Sequence, residues 1–189
     1  MKKILLSLLG LLLGLSGNAQ LKSPSDFLGY ELGTQFTRHH QVIDYVNHVA
    51  ENSDFAQTTP YGKTNEDRTL QLVYLSAPEN LAQLETMRKD HLRSIGYAEG
   101  AKETTKEFSI VWLSYNVHGN ESTSTEAALK TLHTLVTEKQ DWLENLIVIM
   151  DPCINPDGRD RYVNWYNQVK STPFDSSPLA NEHFEDWPG

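Results

Sequence analysis

The chain has 189 residues, of which 39% are hydrophobic and 22% charged, and a formal net charge of −9. That length fits one domain with a real core. The acidic balance argues against nucleic acid or an anionic membrane surface as a partner.

Met1-Lys2-Lys3 is a short basic start. An apolar run over residues 4–15 follows, and then the small residues Ser16-Gly17-Asn18-Ala19. This is the pattern of a secretory signal peptide cut after Ala19. The run is short for a membrane span of about 20 residues. We therefore expect residues 1–19 to be removed and residues 20–189 to form the domain. The destination is secreted or periplasmic, with no stable membrane insertion after cleavage. Losing Lys2 and Lys3 takes the net charge from −9 to −11. Cys153 is the only cysteine, so no intramolecular disulfide forms. Its place after a predicted strand suits a small buried residue better than a metal ligand.

Residues 23–33 are polar and read as an extended lead-in. Residues 37–51 predict an amphipathic helix, with Val42, Ile43, Val46 and Ala50 on one face and Gln41, Asp44, His48 and Glu51 on the other. Residues 55–63 and 69–77 read as two strands of a hairpin joined by residues 64–68. A helix opens at Pro78-Glu79-Asn80, with Leu81, Leu84, Met87 and Leu92 near helical spacing. His91 falls at the edge of that face, as a half-buried packing residue. Residues 96–107 are a polar connection.

Residues 108–114 are apolar, β-branched and aromatic, and read as a buried strand. A helix over residues 122–138 follows, with Ala128, Leu132, Leu135 and Val136 on one face. Residues 145–150 form a further strand. This strand–helix–strand order implies neighbouring parallel strands. A hairpin beside them makes the sheet mixed. The fold class is therefore α/β, a mixed, largely parallel sheet with helices on both faces. Past Gly158 the pattern weakens. Tyr162, Trp165 and Tyr166, with Asn164 and Asn167, either line a cleft or pack the sheet edge. Residues 171–189 read as loop.

The chemistry concentrates at His118-Gly119-Asn120-Glu121, where the strand hands over to the helix. An imidazole nitrogen and a carboxylate oxygen both suit zinc. In open α/β sheets ligands bind at that edge. Spacing alone is weak, since His48 and Glu51 repeat it on a polar helix face and read as solvated. For His118 and Glu121 the alternative is a loop histidine and a helix-start glutamate favoured by the macrodipole. Spacing and context leave the two readings open.

A second motif, Ile154-Asn155-Pro156-Asp157-Gly158-Arg159-Asp160-Arg161, follows the next strand. The pair of motifs, in this order and each after a predicted strand, resembles the zinc carboxypeptidase family. The resemblance implies that His118 and Glu121 are two of three ligands to Zn2+. It also implies an arginine after the turn that polarises the scissile carbonyl. Arg161 is the choice for that role and for substrate contact, and Arg159 is the runner-up. The alternative for Arg161 is a surface ion pair with Asp157 or Asp160.

The match departs from the family pattern downstream, where the third histidine and the general-base glutamate belong. Only 68 residues follow Glu121 (189 − 121). They hold His133, read as packing or surface, and His183, in the irregular tail with Glu182 and Glu185. The expectation is the N-terminal half of a catalytic domain, truncated at its C-terminus. The implied function is a zinc-dependent metallocarboxypeptidase acting on peptide or protein substrates, with this portion inactive alone. Two other readings stand beside it. One is a non-catalytic secreted peptide-binding α/β domain. The other is an amide hydrolase of the same superfamily acting on cell-wall peptides or N-acyl amino acids. A secreted structural domain without metal is the weakest reading.

Overall fold

The computed structural model describes residues 20–170. The signal segment, His183, Glu182 and Glu185 lie outside the described residues. Six α-helices, one 3-10 helix and four strands are described. In chain order they are α1 (Pro24–Leu28), α2 (His39–Asn52), β1 (Ala56–Lys63), β2 (Thr69–Leu75), α3 (Pro78–Leu81), α4 (Leu84–Ser94), β3 (Ser109–Ser114), α5 (Thr123–Thr137), the 3-10 helix (Gln140–Glu144), β4 (Leu146–Asp151) and α6 (Pro156–Val169).

The strands form one mixed sheet in the order β1-β2-β4-β3. β1 and β2 are the antiparallel hairpin expected from the sequence. β2 pairs antiparallel with β4, and β3 pairs parallel with β4, with Ser114 opposite Asp151. The parallel pair carries the site. Its two strands end side by side at the same sheet edge, and each runs through a short connection into a helix. The pairing continues past the strand ends. Tyr115 N–H donates to the Asp151 carbonyl at 3.0 Å, and Ile154 N–H donates to the Tyr115 carbonyl at 3.0 Å.

The core lies between helices and sheet. Val42, Tyr45, Val46 and Val49 of α2 and Ala128, Leu129, Leu132 and Val136 of α5 meet Val73, Leu75, Val148 and Met150 of β2 and β4. Fully burying side chains of this size contributes roughly 1.5–3 kcal/mol each. A smaller aromatic cluster joins Phe36, just ahead of α2, to α6. The Phe36 ring lies 4.9 Å from Tyr166 and 5.8 Å from Tyr162.

Several sequence expectations are corrected. β3 is not buried: Ile110 is 36%, Val111 37% and Trp112 58% exposed. Among the described residues it is an edge strand paired only with β4, so its apolar content has one neighbour to pack on. The lead-in contains α1. Ser23 caps it by accepting the Asp26 N–H, and Gly29 ends it with a φ of 78°. The helix predicted from Pro78 is two helices, broken between Leu81 and Leu84. His91 is exposed rather than half-buried. His48 is not simply solvated. Its Nε2 accepts the Lys22 N–H at 3.0 Å, and its ring lies 4.9 Å from Phe27.

The segment after Gly158 is helical. Asn155 starts α6 by accepting the Gly158 N–H on its side chain, and Pro156 takes the first turn. An asparagine cap followed by proline is a helix-start signature. Tyr162, Trp165 and Tyr166 then fall at helical spacing; Tyr162 and Tyr166 pack on Phe36, and Trp165 packs on Tyr162.

Candidate metal centre

The His118–Glu121 turn is built by Asn116. This residue takes a left-handed φ of 56°, which reverses the chain just past β3. Its backbone N–H donates to Ser124 Oγ at 2.8 Å, and its Nδ2 donates to the His118 carbonyl at 2.7 Å. Glu121 N–H donates to the same carbonyl at 3.1 Å. Ser124 Oγ donates to the Glu121 carbonyl at 3.0 Å. The turn is therefore closed on itself and tied to the first residues of α5. His118 is half-buried and Glu121 is exposed. Both donors sit on one four-residue turn at the carboxyl edge of the parallel strands.

The second motif is docked against this turn. Gly119 is buried, and a Cβ there would overlap the backbone of Gly158. Asn155 Nδ2 donates to the Val117 carbonyl at 3.1 Å. The Arg159 guanidinium donates to the Ser122 carbonyl, to the Thr37 carbonyl at 3.0 Å and to Glu126 Oε1 at 2.6 Å. Thr37 N–H donates to the same Glu126 oxygen at 2.6 Å. Arg159 is 0% exposed. The runner-up for substrate contact is thus an internal anchor, with its donors turned to protein carbonyls and a carboxylate. Arg161 is on the surface and pairs with Glu66 Oε1 at 3.1 Å.

Asp157 and Asp160 belong to another contact. Arg68, in the hairpin turn, donates to Asp157 Oδ1 at 2.7 Å and to Asp160 Oδ2 at 3.0 Å. Thr64 Oγ1 adds a bond to Asp157 at 2.7 Å. Burial pushes the Asp157 carboxyl up, but these hydrogen bonds outweigh it and hold it below its ordinary value.

Behind the turn lies Cys153, 2% exposed. Burial pushes its thiol up to about 12, so it stays protonated and inert. Its Sγ donates to Asn116 Oδ1 at 3.3 Å, and its N–H donates to Asp151 Oδ1 at 3.3 Å. Tyr61 on β1 donates its hydroxyl to Asp151 Oδ2. Burial raises the Asp151 carboxyl above its usual range against the pull of these two donors.

A model of the zinc carboxypeptidase family matches residues 42–175. The chain belongs to this family. Carboxypeptidase A from Helicoverpa armigera superposes with a TM-score of 0.51 at 20% identity, over 83% of this chain and 32% of its own. Bovine thrombin-activatable fibrinolysis inhibitor, solved in complex with tick carboxypeptidase inhibitor, gives a TM-score of 0.47 at 15% identity, over 67% of this chain and 33% of its own. At 20% identity the likeness to the insect carboxypeptidase A is one of fold. The chain spans about a third of the length of these solved relatives. No curated protein matches it.

For a zinc carboxypeptidase family member, the donor set is right in kind and short in number. His118 offers an imidazole nitrogen and Glu121 a carboxylate, both suited to zinc. Among the described residues, no group of three or more His, Cys, Asp or Glu side chains is placed to share a metal ion. Catalytic zinc needs three protein ligands and an open position.

The supporting residues Asn116, Ser124 and Asn155 carried no sequence expectation. An asparagine two residues before the histidine was the available signal, since asparagine tolerates a left-handed φ better than most residues.

Proposed function

We propose that His118 and Glu121 are two of the zinc ligands of a metallocarboxypeptidase site that hydrolyses C-terminal peptide bonds of peptide or protein substrates. One observation carries this reading: a single turn holds both donors at the carboxyl edge of the parallel strands, clamped by the second motif. Bound zinc supplies Lewis acidity and an activated water in such a site. The protein's own part is to hold the two donors in fixed relation, which Asn116, Ser124 and the Gly119–Gly158 contact support. Arg161 is the cation proposed to polarise the scissile carbonyl. Its surface pair with Glu66 is of the weak, solvent-screened kind that a substrate oxygen competes with. Residues 1–19 support a secreted or periplasmic location.

The chain by itself holds two ligands among its described residues, so we expect weak zinc binding and little or no peptidase activity from the 189-residue chain. That same observation favours a second reading, a non-catalytic secreted peptide-binding domain. An amide hydrolase of the same superfamily would use the same two ligands on a different acyl group.

The deciding experiment is zinc titration of the purified, folded chain beside His118→Ala and Glu121→Ala, with hydrolysis of a peptide bearing a free C-terminus followed in parallel. Zinc bound by the parent and lost in both variants supports the proposal. A folded chain that takes up no zinc leaves the binding-domain reading.

A further inference from the structure

We propose that Asn116 is a positioning residue for the His118–Glu121 turn, and that the Cys153 thiol orients it. The inference rests on reading His118 and Glu121 as metal ligands. It deepens that reading by naming what fixes their geometry.

Asn116 is 2% exposed and holds a φ of 56°. Glycine takes that conformation without steric cost, whereas a residue with a Cβ does not. A side chain kept at such a position therefore has work for its amide. Each end of the amide meets partners of the matching kind, with the Glu121 carbonyl a second, longer acceptor for Nδ2 at 3.5 Å. The Nδ2 donor meets the His118 carbonyl at 2.7 Å. The Oδ1 acceptor meets the Cys153 Sγ at 3.3 Å. Backbone carbonyls only accept, so they fix which end of the amide is the nitrogen, and the thiol is left to donate to the oxygen end. The His118 carbonyl then holds two donors, the amide and the Glu121 N–H, and the turn closes around it.

Cys153 is itself held. Its N–H is bonded to Asp151, and Asp151 accepts from Tyr61 across the sheet. A continuous path of hydrogen bonds thus runs Tyr61, Asp151, Cys153, Asn116, His118. The thiol's part is that of a buried donor, which a serine hydroxyl reproduces and an alanine methyl does not.

The experiment uses the 189-residue chain and three variants, Asn116→Gly, Cys153→Ser and Cys153→Ala. Two readouts are taken: amide hydrogen exchange of Glu121 in metal-free protein, and affinity for zinc chloride by titration. Asn116→Gly keeps the backbone conformation and removes the amide. We expect the Glu121 amide to exchange at least ten times faster and zinc affinity to fall at least tenfold, with Val148 in β4 exchanging as in the parent. Cys153→Ser should behave as the parent, and Cys153→Ala should shift in the direction of Asn116→Gly. Unchanged Glu121 exchange in Asn116→Gly overturns the proposal. Should that variant not fold, equal Glu121 exchange in the serine and alanine variants of Cys153 overturns it instead. A parent that binds no zinc, with Glu121 exchange still responding to Asn116→Gly, supports the positioning role and removes the metal reading.

Discussion

Gly119 lies directly against the backbone of Gly158, with no room for a Cβ between them. This contact joins the two motifs and sets how close the His118–Glu121 turn comes to the start of α6. The obstacle is main chain, which cannot swing aside as a flexible side chain does. Gly119→Ala should therefore push the turn away from α6. Overpacking of this kind costs about 1–3 kcal/mol. We expect a lower midpoint in chemical denaturation, and loss of whatever zinc the parent binds. A variant as stable as the parent would mean that the turn has slack here.

Arg159 and Glu126 form an ion pair in the interior, with side chains 0% and 9% exposed. Removing one partner strands the other charge in a low-dielectric site, which costs roughly 3–5 kcal/mol. Arg159→Met should therefore destabilise strongly, and so should Glu126→Leu. The double variant leaves no stranded charge and should be less destabilised than the sum of the two singles. A double-mutant cycle in urea measures this coupling. Because Arg159 also donates to the Ser122 carbonyl, the singles should loosen the start of α5 as well.

Much of this architecture is legible in the sequence, and the rest is hidden for identifiable reasons. The helix after Glu121 follows from its one apolar face, β2 and β4 from their apolar runs, and the hairpin from the turn-rich residues between its strands. His118 and Glu121 stand out because the strand pattern stops just before them. The burial of Arg159 has no local signal, since its partner Glu126 lies 33 residues away and the meeting depends on how α5 and α6 pack. The exposure of β3 is hidden too. Ile110, Val111 and Trp112 read the same whether or not another element covers them. The helix that starts at Asn155-Pro156 is missed, because the polar Asn164 and Asn167 weaken the apolar period beyond it.

Asp90 accepts the N–H groups of Glu103 and Thr104, the Thr104 hydroxyl and the Arg93 guanidinium. Desolvation pushes its carboxyl up, but these donors prevail and hold it well below the ordinary range. An unfolded aspartate titrates near about 3.9. Its folded value is lower, so the folded form binds fewer protons. The stabilisation is then fully present above about pH 4 and is lost as pH falls through the folded value. Asp90→Asn should weaken the loop over residues 99–104. It should also flatten the fall in stability below pH 4, measured by denaturant titration at a series of pH values. An unchanged acid slope would mean that other carboxyls carry it.

Arg68 links the hairpin turn to α6 by reaching Asp157 and Asp160 at once. The two carboxylates lie in the first turns of that helix, where the dipole favours negative charge even without a partner. Removal of the arginine therefore leaves groups that are partly compensated, and its side chain is 25% exposed. Charged hydrogen bonds contribute about 1.5–3 kcal/mol when shielded, and partial exposure reduces this. We expect Arg68→Ala to cost about 1–2 kcal/mol, with the loss shrinking as salt screens the parent's contact. Arg68→Lys should recover less than half of it, because an ammonium on a flexible stem cannot fork to two carboxylates as a guanidinium does. Denaturation of the three proteins at low and high salt separates these effects. A lysine variant equal to the parent would mean that simple charge, and not the forked geometry, holds the hairpin to α6.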